Sequence, residues 1–442
     1  MTSVLILVRD YNDSDHILPI AHALGRKGLG VRLLSVNPRL AMETDPRFRI
    51  VRGQPDTVVE DALYAEPKNI LGWIVSRALK KLRLSGGLAA HKPGLAGRFA
   101  RRLLWAHGRI CDEAWAKRLL RRLKPDAVVL EWGNYAKSAL AGFVRAASGD
   151  GIPLIAVPHG LNIMWNMDQS WASVDGQAVV PYGEHLRNVD WVICQHRRWA
   201  DYMTADGVAP EKILVMGSAR FCPQWHERLD DAYRNQRFAK GSTGERLKIV
   251  YMDHGRYWRV LGDVVETTLQ RIAKLDFIDL VIKPSTRNDV YSNPALARLT
   301  DDVSDVPSTV LVKWADVVIC AASSILVEAL LHGKPLIYPK HHHQNEAIIE
   351  RYGACWQVED DDGLIEALRH LAGAPDDVPY SQGSVDDFLG FLIGGGRSGR
   401  DCLADHAGLI EAVATRNRPV IDAFAAEFGV TAVAEYKEAQ NA

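Results

Sequence analysis

The chain of 442 residues has no apolar run near the roughly 18–20 residues that a membrane-spanning helix needs. Its first apolar run, Val4–Val8, stops at Arg9 and Asp10, which is too short for a signal-peptide core and suits a first buried strand. The six cysteines (111, 194, 222, 320, 355 and 402) form no CxxC and no paired spacing. Neither a disulfide framework nor a cysteine zinc site is therefore suggested, and a reduced, cytosolic protein is expected. The sequence has no internal repeat, no low-complexity tract and a net charge of only -1. With 47% hydrophobic and 24% charged residues it reads as globular, and its length predicts two domains of about 200 residues each.

Short Val/Ile/Leu runs alternate with helical patterns along most of the chain. Strands are expected at Val4–Val8, Val31–Val36, Ala127–Glu131, Leu154–Val157, Trp191–Gln195 and Ile213–Met216. A second series follows at Lys248–Met252, Asp279–Lys283, Val317–Cys320, Pro335–Tyr338 and Cys355–Val358. Helices are expected between them, among others at Ile17–Lys27, Tyr135–Ala147, Ile325–His332 and Gly363–Leu371. Continuous apolar strands separated by amphipathic helices predict parallel sheets covered on both faces. The polar stretch 223–247 separates the series, and the residues after 380 add helices without strands. The expected plan is an α/β chain: 1–222 as one Rossmann-like domain, 223–247 as linker, 248–380 as a second such domain, and 381–442 as a helical segment. Ligands of such sheets bind beyond the carboxyl ends of the strands.

The stretch ADVVICAASSILVEALLHGKPLIYP (315–339) ends a buried strand in small residues and serines, then starts a helix. A helix start offers unpaired N–H groups and the positive end of its dipole, a combination that suits an anion. Ser323 or Ser324 caps that start, and Glu328 follows on the same face, placed either to hold a ribose diol or simply to meet solvent. The longer segment 305–339 resembles the donor-nucleotide motif of GT-B glycosyltransferases. It is nearest the branch of CDP-glycerol glycerophosphotransferases and capsule polysaccharide transferases. Asp305, Asp316, Ser323, Ser324, Glu328, Gly333, Lys334 and Pro335 fit that outline, whereas Ala321–Ala322 replaces a frequent Asp-Tyr and Glu328 a frequent Asp.

The resemblance implies two Rossmann-like domains facing across a cleft, the second gripping the donor nucleotide and the first holding the acceptor. RDYNDSDHILPIAHALGRKGLGVRLLSV (9–36) is similar to the first strand-loop-helix of such enzymes, with His16 and Pro19 at the His-x-x-Pro positions. There His16 is the implied general base, with Asp10 and Asp15 as competitors; the bland alternative makes His16 a cap for a helix beginning near Ile17. IPLIAVPHGLN (152–162) places His159 after a strand, as the same branch does, and Glu131 ends another strand at that edge. Lys283, Arg220, His254 and Arg256 are the cations expected at a donor phosphate. His341–His343 and Asp360–Asp362 invite a metal, but GT-B enzymes generally need none. No metal or other cofactor is therefore expected beyond the nucleotide-sugar co-substrate.

Charge is unevenly spread. Residues 68–124 hold fifteen Lys/Arg against two acids, a net +13, mixed with Trp, Leu, Ile and Phe at helical spacing. That suits an anionic lipid surface, and no nucleic-acid motif accompanies it. The reading is a cytoplasmic glycosyltransferase, peripheral on the inner face of the plasma membrane. It would extend a bacterial surface polysaccharide or lipid-linked glycan. Three alternatives stand beside it: a polyol-phosphate transferase, a nucleotide-sugar 2-epimerase, and a non-catalytic membrane-attached scaffold.

Overall fold

The computed structural model describes residues 1–40, 42–66, 70–84, 95–133, 139–166, 181–240, 246–254, 259–285, 291–321, 323–397 and 399–432. They form two compact units. The first comprises the described parts of Met1–Leu161, Val180–Ala232 and Leu392–Glu435; the second, those of Asn162–Val179 and Tyr233–Phe391. The expected fold class is observed: each unit is built on a parallel sheet, of seven strands in the first and five in the second.

The first sheet contains β1 (Ser3–Val8), β2 (Gly30–Ser35), β3 (Thr57–Asp61), β4 (Ala127–Glu131), β5 (Leu154–Val157), β6 (Trp191–Cys194) and β7 (Ile213–Val215). Their order is β3-β2-β1-β4-β5-β6-β7, so the winding reverses between β1 and β4. Val4 lies opposite both Val31 and Ala127, and β1 is almost wholly buried, as an apolar strand covered on both faces must be. Edge strand β3 is TVVED, polar enough and exposed enough that no apolar run announced it.

Helix α1 spans Tyr11–Arg26 and so begins six residues before the expected Ile17. Asp10 caps it: its carboxylate accepts from the Tyr11 N–H at 2.6 Å, while its own N–H donates to Asp13 Oδ2 at 2.8 Å. This reciprocal capping box stabilises the helix start by satisfying donors that no earlier turn can reach. The buried side of α1, including Ile17, Leu18 and Ala21, packs in one core with Leu403, Ala407 and Ile410 of the helix Cys402–Ala414. The expected terminal segment 381–442 is thus divided, its described residues from Leu392 to 432 going with the first unit. Apolar area removed from water at about 25 cal/mol per Å² drives that return.

The second sheet contains β8 (Leu247–Met252), β9 (Ile278–Lys283), β10 (Val317–Cys320), β11 (Leu336–Pro339) and β12 (Trp356–Val358), in the order β12-β11-β10-β8-β9. Its winding reverses between β8 and β10. Among the described residues no helix is long and apolar enough to cross a membrane.

Candidate active site

The reversal points of such sheets are where ligands bind, because neighbouring connections leave in opposite directions and open a crevice. In the first sheet that point lies between the ends of β1 and β4. Arg9 follows β1, Asp13 stands one turn into α1, Glu131 ends β4, and His159 lies two residues past β5. These four converge. His159 Nδ1 is 2.7 Å from Asp13 Oδ1 and 3.3 Å from Glu131 Oε2. Arg9 Nη2 pairs with Glu131 Oε1 at 2.7 Å and lies 3.5 Å from His159 Nδ1. The backbone N–H groups of Arg9 and Asp10 donate to Asp13 Oδ2, and that of Gly133 to Glu131 Oε2.

Both carboxylates are fully buried, whereas the His159 side chain is 23% exposed and that of Arg9 22%. Burial alone would push the imidazole down. Glu131 and Asp13 outweigh it and raise His159 to about 10, so the ring rests as an imidazolium near neutral pH. Burial likewise works to raise Glu131, but His159, Arg9 and the Gly133 N–H hold its carboxyl low. Burial and the neighbouring Glu131 raise Asp13 against the pull of His159 and Arg9. Two positive and two negative groups therefore balance in a site open at the His159 edge. With Nδ1 on the carboxylates, Nε2 is the ring atom that remains to meet a ligand. Asp13, Glu131 and His159 bring ligand atoms within 4.8 Å of one another, but the charge a metal would supply is already present on Arg9.

The other expected residues of this unit have different tasks. Asp10 is the exposed helix cap. Asp15 pairs with Arg47, and with Arg220 Nη1 at 3.1 Å, so Arg220 is committed to an acid of its own unit. His16 is corrected in place: it lies inside α1, only 2% exposed, not in a loop before the helix. Neither of its ring nitrogens has a hydrogen-bond partner among the described residues, and burial first, then Arg220, pushes it well below its ordinary value.

In the second sheet the expected donor residues line up after β10, β8 and β9, three neighbouring strands. Ser323 and Ser324 follow β10 and are half-buried, and Glu328 is buried in the two-turn helix Ile325–Leu331. Of its two readings, the one that had Glu328 simply meet solvent does not hold. His254 follows β8 and is half-buried, whereas Arg256 lies outside the described residues. Lys283 ends β9 but is 2% exposed, and its ammonium donates to the carbonyls of Val303 at 2.9 Å and Ser304 at 2.6 Å. It holds a loop, and the expected open phosphate contact is corrected accordingly.

Arg9 also lines a hollow of about 540 Å³, together with Asn37, Arg39, His107, Cys111 and Arg145. That volume falls in the range of small-molecule sites. Nearby in sequence, the helices Ile70–Leu84 and Leu95–Ile110 expose Ile70, Leu71, Trp73, Ile74 and Phe99. Arg77 stacks over Trp73 at 4.3 Å.

Sequence reasoning placed His159 and Glu131 at one sheet edge but missed Arg9, Asp13 and Gly133. Arg9 ended an apolar run and was read only as its terminator. Gly133 carries its own signal: a Cβ there would stand 2.5 Å from Glu131 Oε2 and 3.0 Å from both Arg9 Nη2 and His159 Cγ. Only glycine leaves the four groups room.

Comparison with known proteins bears on the same regions. The pattern of Glycosyltransferase Family 4 matches residues 15–217. No curated protein matches the chain in sequence. Among solved structures, S. aureus MnaA in a co-structure with UDP is 12% identical with a TM-score of 0.51, over 94% of this chain and 97% of that one. The UDP-GlcNAc 2-epimerase of Neisseria meningitidis bound to UDP-GlcNAc is also 12% identical with a TM-score of 0.51, over 94% and 100%. The UDP-GlcNAc 2-epimerase of Methanocaldococcus jannaschii is 10% identical with a TM-score of 0.51, over 94% and 100%. At these identities the likeness is one of fold.

Proposed function

We propose that the chain is a glycosyltransferase that moves a sugar from a nucleotide-activated donor to a glycan or lipid-linked acceptor of the bacterial cell envelope. The observation that carries this reading is the Arg9–Asp13–Glu131–His159 group. It sits at the reversal point of the first sheet, and its Glu131 and His159 fall within residues 15–217, which match Glycosyltransferase Family 4. In this reading the His159 imidazolium offers its Nε2–H to negative charge on a substrate bound at the first unit. Preorganised donors of this kind are worth the most where water is excluded. Asp10, exposed at the head of α1, is the carboxylate left to accept the acceptor's proton, since His16 is buried and Asp15 is held by Arg47 and Arg220. The donor nucleotide is assigned to the second unit, at Ser323, Ser324 and His254, with Glu328 shaping the floor. The acceptor is assigned to the hollow lined by Arg9, Arg39 and Arg145. The aromatics and cations exposed on the helices Ile70–Leu84 and Leu95–Ile110 are assigned to an anionic lipid surface, which would place the protein at the inner face of the membrane.

The test is a thermal-shift screen of the full chain against CMP, CDP, UDP and GDP, followed by turnover of the matching nucleotide sugars with and without glycan acceptors. Nucleotide release that needs an acceptor is the expected outcome, and His159→Asn should lower kcat by about 10²–10³-fold. An epimerised nucleotide sugar formed without acceptor would replace this reading with the 2-epimerase. Transfer of a polyol phosphate would assign the chain to that chemistry instead. No response to any nucleotide would leave a scaffold.

A further inference from the structure

The run His341–His343 does not act as one. His343 is tied into its own unit through both ring nitrogens: Nε2 lies 2.7 Å from the Tyr338 hydroxyl, and Nδ1 accepts the Asn345 N–H at 3.1 Å. His341 and His342 turn the other way, toward the first residue of the helix Asp361–Gly373, with ring centroids 4.4 Å apart. His341 Nε2 lies 3.1 Å from Asp361 Oδ1. One ligand atom each from His341, His342 and Asp361 falls within 4.8 Å of the others.

Two further observations bear on that spot. His342 is fully buried, and its Nε2 has no hydrogen-bond partner among the described residues; its Nδ1 lies 3.2 Å from the Tyr251 hydroxyl. An imidazole nitrogen left bare in the interior forfeits a hydrogen bond that water would have supplied. Buried histidines that bind metals have this arrangement, one nitrogen held by a hydrogen-bonding partner and the other facing the ion. The carboxylate is oriented in the same manner. The Thr268 hydroxyl donates to Asp361 Oδ1, and Arg271 Nη1 holds the outward oxygen, Oδ2, at 3.1 Å. Arg271 is 42% exposed and shared with Asp362, so it sits outside the cluster and not within it.

We infer that His341, His342 and Asp361 form a binding site for one divalent transition metal of the zinc class. The donor set, two imidazoles and one carboxylate, is one that zinc accepts, and three protein ligands leave a fourth position for water. Ligands at ~2.0–2.2 Å on a tetrahedral ion stand ~3.3–3.5 Å apart, close to the 3.1 Å between His341 Nε2 and Asp361 Oδ1. The ligands come from the turn Lys340–His342 after β11 and the helix start after β12, so the ion would clamp the carboxyl ends of two adjacent strands. Its place is structural and separate from the group around His159, and the proposed transfer reaction does not pass through it.

The test uses the full chain without an affinity tag, stripped with a chelator and titrated with Zn²⁺ in competition with a chromophoric chelator, then with Co²⁺. About one Zn²⁺ per chain is expected, with the visible absorption of four-coordinate Co²⁺. Asp361→Asn and His341→Ala are the variants of choice, because His342 is so buried that replacing it endangers folding. Each should weaken binding by more than about a hundredfold, beyond the 10–100-fold that loss of an outer partner costs. Circular dichroism that matches the parent shows that the fold survived. No binding by the parent, or binding that both variants retain in full, overturns the site.

Discussion

Two groups that pair histidine with carboxylate lie at the carboxyl ends of the two sheets, and they balance charge differently. In the first, His159 faces two wholly buried carboxylates, and Arg9 reaches in to make the second positive charge. In the second, His341 and His342 face one carboxylate, and the nearest cation, Arg271, stays at the rim. The first group is therefore complete by itself and holds its imidazole charged. In the second, burial lowers His342 to about 3 and keeps it neutral, leaving its Nε2 without a partner among the described residues. Composition hardly distinguishes the two. What separates them is whether a guanidinium follows the neighbouring strand.

The comparison breaks most readily at Arg9. Arg9→Met leaves Asp13 and Glu131 with one cation instead of two. Removing one member of a buried ion group strands the others, at a cost of about 3–5 kcal/mol. Urea unfolding of the first unit should show that loss, and the equivalent change at the rim, Arg271→Met, should cost far less, because solvent screens an exposed pair. Equal losses at both positions would mean that the two groups are not different in kind.

A pH scan sharpens the contrast. His159 is raised to about 10, so its contribution to stability is complete below about pH 6.5 and is lost as pH climbs through 10. His22, on α1 in the same unit, is pushed down to about 4 by burial first and by Arg228 and Arg26 next. Its contribution has the opposite sense: present above about pH 6.5 and lost as pH falls through 4. The parent should thus lose stability at both ends of the scale. His159→Asn should flatten the alkaline limb alone, and His22→Asn the acid limb alone, with nuclear magnetic resonance of the histidine ring protons as the check.

Much of this was legible beforehand. Eleven of the strands announce themselves because a strand buried on both faces must be apolar throughout, and their ends led directly to Glu131 and His159. Strand β3 did not, since an edge strand satisfies half its backbone with solvent and tolerates Thr57, Glu60 and Asp61. The start of α1 was hidden in plain residues. Asp10 and Asp13 at cap and third position spell a capping box, yet beside a histidine Asp10 reads as a rival base. Lys283 and Glu328 were placed on the right strand and helix, but burial is set by tertiary neighbours that no local pattern reveals. The docking of Cys402–Ala414 on α1 is of the same kind, a partnership across almost 400 residues of chain.

Lys283 supplies the next test, because it contrasts a cation spent on backbone with one spent on carboxylates. Its two carbonyl partners make charge-assisted hydrogen bonds worth about 1.5–3 kcal/mol. Lys283→Met should lower the stability of the second unit by that amount and leave nucleotide affinity near the parent's. A selective loss of nucleotide affinity at unchanged stability would instead restore the lysine to the donor site.

The smallest change acts on the first group without touching any of its charges. Gly133→Ala would add a methyl where Glu131 Oε2, Arg9 Nη2 and His159 Cγ leave 2.5–3.0 Å. Overfilling of this sort costs about 1–3 kcal/mol, at the low end where a side chain gives way more easily than backbone. All three obstructing atoms belong to side chains, so the group should loosen and not unfold. The N–H of residue 133 still donates to Glu131, but the imidazole moves away from its two carboxylates. Its ring protons should then titrate below the parent's value of about 10, toward the ordinary value of about 6.5. A titration that stays at the parent's value despite the methyl would mean that the four groups do not depend on one another's positions, and the charge at His159 would need another source.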